Sequence, residues 1–460
     1  MQVQRRRWMV AIGTVTAGVG LSAVAAVSQV VAEVPVSAGS SGATSSAVAW
    51  GTTVSAPAGA RGQLFGATAP APGDVWAVGG SNPGQPPTSV LTAPYAEHWT
   101  GTAWSATTLK VPKIYPSASQ AAQLEGAAST GPSDVWAVGH IDDVSSLASR
   151  TLAYHWDGTA WTRTPTPNPG GATLGNHLLA VAARASDDVY AVGDTGYPGR
   201  SLVIRWNGTT WAKVTTPNIG NLTAVTADAT NVWVAAGTTV QRLTGGVWTL
   251  LPAVPAGAGS VYLSGLAASS TGLWAVGTDL IPYFEGYLYR PYAAVWNGST
   301  WSKVSAPADA GLNAVTAVGS DVFATSANAV VRLTPSGGTL EVTPALTSTF
   351  LEGITADRDG HPWAVGWASS GSTLVPAIIN APGIDQGGIS VTTGYAGATV
   401  TWIGPSAGSG SATVFGTFAV AGLPVGAYTI VVSASGCTPG VASVTVTAGL
   451  VTAVNAPVTC

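Results

Sequence analysis

Acidic and aromatic residues collect at a few places in this sequence. Asp142 and Asp143 follow one short apolar run, and Asp194 and Tyr197 follow another. Asp279 follows a third, ahead of Tyr283, Glu285, Tyr287, Tyr289 and Arg290. Paired carboxylates could run acid–base chemistry on a glycosidic bond. Tyrosines beside an acid and an arginine could instead stack on sugar rings or anchor a protein partner. Histidines stand at 98, 140, 155, 177 and 361. His98 and His155 fill one repeated position that holds Arg205, Arg242, Val295 and Arg332 elsewhere, so that position reads as scaffold, and His361 lies inside a strand-like run. No spacing of His, Cys or carboxylate matches a metal-ligand signature, and there is neither a nucleophile elbow nor a phosphate loop. The sequence therefore assigns no catalytic residue, no metal ligand and no cofactor. The ten residues named first form its candidate ligand-binding set.

What positions them is a repeat. DVWAVG occurs at 74–79 and again at 134–139, and DVYAVG at 188–193. NVWVAA (231), GLWAVG (272), DVFATS (321) and HPWAVG (361) continue the series to seven copies. Residues 178–220 show a whole unit: LLAVAA, DVYAVG, SLVIRW and WAKVTTP, separated by turn residues, the last turn being Asn-Gly. A hairpin of the same kind recurs as HWTGTAW at 98, HWDGTAW at 155 and VWNGSTW at 295. In DVWAVG both faces are apolar or small after the leading Asp, so the strand must be covered on both sides. Seven four-stranded sheets arranged radially provide that cover. The expected fold is all-β: a seven-bladed β-propeller over 46–383, then a small C-terminal β-sandwich over 386–460. The seventh unit, 351–383, offers only three strands, and residues near 46–57 are expected to supply its fourth and close the ring. In such a ring the second-to-third loops share one face, opposite the Gly-Trp turns. Those loops vary most in length and carry the candidate set, as binding loops on a rigid scaffold do.

Composition narrows the function. Charged residues make up 8% of the chain, against a typical share of about 25%. The 17 Lys and Arg form no basic patch, which sets nucleic acid aside. Arg5, Arg6 and Arg7 precede an apolar run from Trp8 to about Ala32. This reads as a secretory signal peptide over 1–32, followed by a linker over 33–45. An uncleaved signal anchor is the alternative, and Arg5–Met9 loosely resembles a twin-arginine export signal. Cleavage after Ala32 would move the formal net charge from −4 to −7. No second membrane span is expected. Cys437 and Cys460 read as a disulfide in an exported chain, with two separate thiols as the alternative.

The hairpin x-[DN]-G-T-x-W resembles the Asp-box repeat of sialidase-like propellers, and the period also suits kelch repeats. The Ser that opens the Asp box is absent, and only Asp157, Asn207 and Asn297 stand near its Asp. The arginine triad of sialidases has no residue-by-residue match. GATVTW (397–402) followed by GTFAVAGLPVGAYTIVVSASG (416–436) resembles a carboxypeptidase regulatory-like or collagen-binding B-type domain, related to the transthyretin fold. The Lys–Asn crosslink of some relatives is ruled out, because the last lysine is Lys303. Such modules imply a stalk, a spacer or a recognition appendage. The combined expectation is a monomeric, secreted or cell-surface, non-catalytic protein that binds a glycan or an extracellular protein. The alternative is a secreted glycoside hydrolase or polysaccharide lyase using acids on the same loop face.

Overall fold

A computed structural model describes residues 50, 61–82, 91–101, 103–115, 120–146, 148–171, 175–196, 199–284, 286–341, 343, 348–357, 360–370, 373–381, 386–404, 406–413, 416–424, 426–446 and 451–460. The expected signal peptide, the linker and all of the expected closing segment except Trp50 lie outside these residues. So do Tyr197 and Glu285.

Every regular element among the described residues is a β-strand. Seven sheets follow one another along the chain. Sheet 1 contains Gly62–Ala71, Asp74–Ser81, Ala93–Trp99 and Trp104–Thr108. Sheet 2 contains Gln120–Gly131, Asp134–Asp143, Ser149–Trp156 and Trp161–Arg163, and sheet 3 contains Asn176–Ala185, Asp188–Thr195, Arg200–Trp206 and Trp211–Lys213. Sheets 4, 5 and 6 repeat the four-stranded pattern over 224–250, 260–304 and 312–340, and sheet 7 has three strands over 349–380. Each is an antiparallel meander in chain order, so first-to-second and third-to-fourth turns lie at one end and second-to-third loops at the other. Two such turns meet in sheet 2, where Gly158 approaches the Ser133 side chain. The first strands of consecutive sheets touch, and the first strand of sheet 7 touches that of sheet 1. A closed circuit of meanders around their first strands is a β-propeller repeat fold.

The DVWAVG strand can now be explained residue by residue. Its aromatic is buried in every copy: Trp76, Trp136, Tyr190, Trp233, Trp274, Phe323 and Trp363. Trp76 packs 4.9 Å from Trp156 and 5.0 Å from Trp161, the two hairpin tryptophans of sheet 2. Trp136 does the same to Trp206 and Trp211 of sheet 3, at 4.8 and 5.0 Å. Trp363 of sheet 7 meets Trp99 and Trp104 of sheet 1, at 5.8 and 5.9 Å. The aromatic in one sheet and the Gly-Trp hairpin in the next are thus two halves of one intersheet joint. Fully burying such a side chain contributes roughly 2–3 kcal/mol each time.

The closing Gly has a different cause. The first strand bulges just after a buried leucine, between Leu64 and Gly66, Leu124 and Gly126, Leu263 and Gly265, and Leu351 and Gly353. The bulge turns a carbonyl of the first strand toward the second. A Cβ on Gly79 would collide with the Gln63 oxygen, and the same clash faces Gly139, Gly193, Gly277 and Gly366. Only glycine fits there. The bulged glycines themselves allow neighbouring first strands to approach. A Cβ on Gly66 would lie 2.8 Å from the Gly126 Cα, and one on Gly353 would lie 2.7 Å from the Phe65 oxygen.

The C-terminal residues form two further sheets from seven strands. One orders Thr417–Pro424, Gln386–Thr392 and Val451–Asn455, with the last pair parallel. The other orders Ala407–Ser411, Thr399–Ile403, Gly426–Ser433 and Gly440–Val446. Alternate residues of both sheets bury one core that includes Ile389, Val391, Val400, Tyr428, Ile430 and Val446. Cys437 and Cys460 are joined by a disulfide across 23 residues, beside a Thr438–Thr459 bridge. Closing a loop of that length contributes about 3 kcal/mol in the chain-entropy account.

Candidate functional site

The two ends of the sheets use their polar residues differently. At the turn end, the leading Asp of the repeat meets the basic position of the third strand. His98 donates to Asp74 at 2.7 Å while its ring stacks on Trp76 at 3.9 Å. His155 donates to Asp134 at 2.7 Å and stacks on Trp136 at 4.4 Å. Arg205 donates to Asp188 at 2.5 Å over the Tyr190 ring, and Arg332 lies over Phe323 beside Asp321. Burial pushes the Asp134 carboxyl up, but hydrogen bonds from His155 and Thr130 outweigh it and hold the group below the usual carboxylate range. In these four sheets a flat N–H donor that stacks on the aromatic and meets the acid fills this position, so His and Arg exchange there. These residues belong to the frame.

The Asp-box-like hairpins are frame as well. Asn297 Oδ1 accepts from the backbone N–H groups of Ser299 and Thr300 and from the Ser299 hydroxyl, each at 2.9 Å. Asn207 and Asp157 make the same set of contacts. Hydrogen bonds from Thr159 and the backbone of Ala160 hold the exposed Asp157 carboxyl at about 2. This Asx turn presets the chain reversal.

At the loop end the candidate residues separate into three groups. Asp143 and Asp279 secure backbone. Asp143 accepts from Ser145 N–H at 3.0 Å and the Ser146 hydroxyl at 2.8 Å. Buried Asp279 accepts from the N–H groups of Ala258 and Gly259 at 2.6 and 2.8 Å. The second group is a ribbon. In sheet 5 the strands Gly272–Tyr283 and Gly286–Trp296 stay paired to the Tyr283–Gly286 turn. The first strand, however, pairs only as far as Leu280, and the fourth only up to Ala293. Beyond Leu280 the hairpin stands without neighbours in its sheet. Tyr283 and Tyr287 are exposed, Leu288 and Arg290 too, and Phe284 at the tip is 98% exposed. Tyr289, on the same face as Tyr287 but nearer the sheet, is half-buried, while Tyr292 is buried and donates to the Pro255 carbonyl at 2.6 Å. Distance from the four-stranded part of the sheet therefore divides the tyrosine cluster that looks continuous in sequence.

The third group is a cluster that the sequence did not announce. Asp142 lies 3.6 Å from His140 Nε2 and 3.9 Å from His177 Nε2. The two imidazole centroids are 4.8 Å apart. His177 Nδ1 faces Asp194 at 3.3 Å, and His140 Nδ1 faces Glu125 at 3.8 Å. Gln123 donates to that same Glu125 oxygen at 2.5 Å. Both histidines, Glu125 and Asp194 are buried, whereas the Asp142 side chain keeps 39% of its exposure. Asp142 and Asp194, from two different repeat units, are thus brought together by two histidines absent from the candidate set. A signal was present. His140 and Asp194 both directly follow the repeated run, and His177 pairs with Asp194 as Gln123 pairs with His140. Aligning the repeats by strand register would have placed them at one joint.

No family model matches the chain, and no curated protein matches it. Among solved structures, the chain is similar to YCF48 bound to a D1 peptide, with a TM-score of 0.47 and 12% identity over 73% of this chain and 99% of that one. It is also similar to the WD40 repeats of RRP9, with a TM-score of 0.49, 13% identity, and 73% and 99% of the two chains covered. The Pan2 WD40 domain of Neurospora crassa aligns with a TM-score of 0.45, 13% identity, and 73% and 95% coverage. The propeller assignment rests on this chain's own sheet order and its circuit of first strands.

Proposed function

We propose that the protein is a secreted or cell-surface binding scaffold, not an enzyme, and that it recognises a glycan or an extracellular protein through the loop end of the propeller. The observation that carries this reading is the unaccompanied ribbon of sheet 5. It holds Tyr283, Phe284, Tyr287 and Leu288 in solvent on a rigid base. Soluble proteins seldom expose a contiguous apolar patch without a use for it, and aromatic residues dominate recognition surfaces. Asp143 and Asp279 are engaged by backbone N–H groups, and Asp194 faces His177. That arrangement favours binding over two-carboxylate hydrolysis, which needs a facing pair of carboxyls with a substrate between them.

The architecture under this reading has seven blades. Residues near 46–57 supply the fourth strand of sheet 7, in keeping with Trp50, which is buried against Phe323, Leu351 and Ile379. The two C-terminal sheets form a sandwich of the carboxypeptidase regulatory-like kind, which serves as a spacer or appendage. Residues 1–32 direct export. The ribbon is tested by a triple substitution, Tyr283→Ser, Phe284→Ser and Tyr287→Ser, in the secreted protein. Binding is read on a glycan array and on a panel of extracellular proteins, with melting in parallel. The expected result is unchanged melting and at least a tenfold loss on every ligand the parent binds. Retained binding would remove the ribbon from recognition.

A further inference from the structure

We propose that His140, Asp142 and His177 form a binding site for a divalent transition metal of the zinc class, at the joint between sheets 2 and 3. The donors are two imidazoles and one carboxylate, a set that suits zinc and its first-row neighbours. Their placement follows from strand geometry. His140 and Asp142 are two residues apart on the second strand of sheet 2, so they share a face. His177 is the second residue of the first strand of sheet 3, which lies against that sheet.

The separations decide between a hydrogen-bonded network and a metal site. At 3.6 and 3.9 Å, the Asp142 oxygens are too far from the two Nε2 atoms for good hydrogen bonds. Ligands at about 2.0–2.1 Å around a tetrahedral ion stand roughly 3.3 Å apart. The three donor atoms lie within 4.8 Å of one another, so side-chain movements of roughly 1 Å would bring all three onto one ion. A second observation points into the same space. Asp142 Oδ1, the oxygen that faces His177, is buried without a hydrogen-bond partner. A buried carboxylate oxygen in that state costs free energy unless a cation satisfies it.

The surroundings fit a ligand role. The far nitrogen of each imidazole faces a buried carboxylate: Asp194 for His177 and Glu125 for His140. Metal-bound histidines commonly carry a hydrogen-bonded carboxylate behind them, which fixes the tautomer; Asp194 serves His177 in this way, and Glu125 stands in the same place behind His140 but at 3.8 Å. Gln123 holds Glu125 in place. Three protein donors leave a fourth position for water or a ligand atom, and Asp142 marks the side open to solvent.

The test uses the full secreted chain, stripped with a chelator and titrated with Co2+ and then Zn2+. One equivalent of Co2+ should produce the visible d–d absorption of a tetrahedral site, and one equivalent of Zn2+ should displace it. Asp142→Asn should weaken Co2+ binding at least tenfold with unchanged melting of the stripped protein, since that side chain is part-exposed. His177→Gln should abolish binding, and Asp194→Asn should weaken it less than Asp142→Asn. Absence of stoichiometric binding overturns the site, as does Co2+ affinity within threefold of the parent in Asp142→Asn. Neither result touches the sheet 5 ribbon, so the two proposals fail separately.

Discussion

The turn end and the loop end of the propeller are built from the same strands, yet they follow opposite rules. At the turn end sheets 1, 2, 3 and 6 repeat one solution, an acid, a flat His or Arg side chain and an aromatic packed together, and sheets 2, 3 and 5 close their hairpins with an Asx turn. At the loop end no two sheets agree. Asp143 and Asp279 secure loops, Asp142 and Asp194 gather around two histidines, and sheet 5 extends a ribbon of exposed tyrosines. Regularity marks the end where every sheet must meet the next in the same way. Irregularity marks the end where the joints are already secure and side chains are released from packing.

The sharpest way to break this contrast is to remove one joint. Trp136 is fully buried between the hairpin tryptophans of sheet 3. Trp136→Ala should cost about 3–5 kcal/mol, read by denaturant unfolding, whereas Phe284→Ser should stay within about 0.5 kcal/mol. Comparable losses from the two would erase the distinction between frame and surface.

Midway between the ends, one sheet departs from its neighbours. Glu97 of sheet 1 pairs with Ala77, where the equivalent partners in sheets 2, 3 and 7 are Tyr154, Ile204 and Ile379. Burial raises its carboxyl to about 7, although the hydrogen bond from Tyr95 at 2.6 Å lowers it in part. The unfolded chain ionises this group at its ordinary value, and the folded chain only at the raised one. Its stabilising protonated form is complete below pH 4.5, and its contribution disappears as pH rises through about 7. Glu97→Gln should flatten that loss. At pH 8 the variant should exceed the parent by on the order of 3 kcal/mol in urea unfolding, with little difference at pH 4. An unchanged pH profile would mean that Glu97 ionises freely in the folded protein.

The smallest effect concerns the turns. Asn297→Ala removes one Asx turn and should cost about 1 kcal/mol, seen as a small drop in melting temperature. Ligand binding at the loop end should not change, because the two ends of a sheet share strands but no side chains.

Sequence alone determined a large part of this molecule. The seven copies of the DVWAVG strand, the hairpin that follows and the antiparallel order all appear in it. They are legible because both-face burial, an Asx turn and a glycine at a bulge each admit few residue types, and the repeat shows the same choice many times. The cysteine pair was legible through its isolation, with the thiol alternative settled by the disulfide. The site was legible only as a list. Asp279 looked available until its carboxylate was found on the N–H groups of Ala258 and Gly259. The adjacent tyrosines looked alike until the four-stranded part of the sheet buried Tyr292 and the ribbon beyond Leu280 left Tyr283 and Tyr287 exposed. His140 and His177, 37 residues apart, meet only because sheet 3 lies on sheet 2. Local pattern dictates which residues can be strand, turn or joint, since those demands act within a few positions of the chain. Which side chains share a space across two sheets depends on register and docking, and only the tertiary structure decides that.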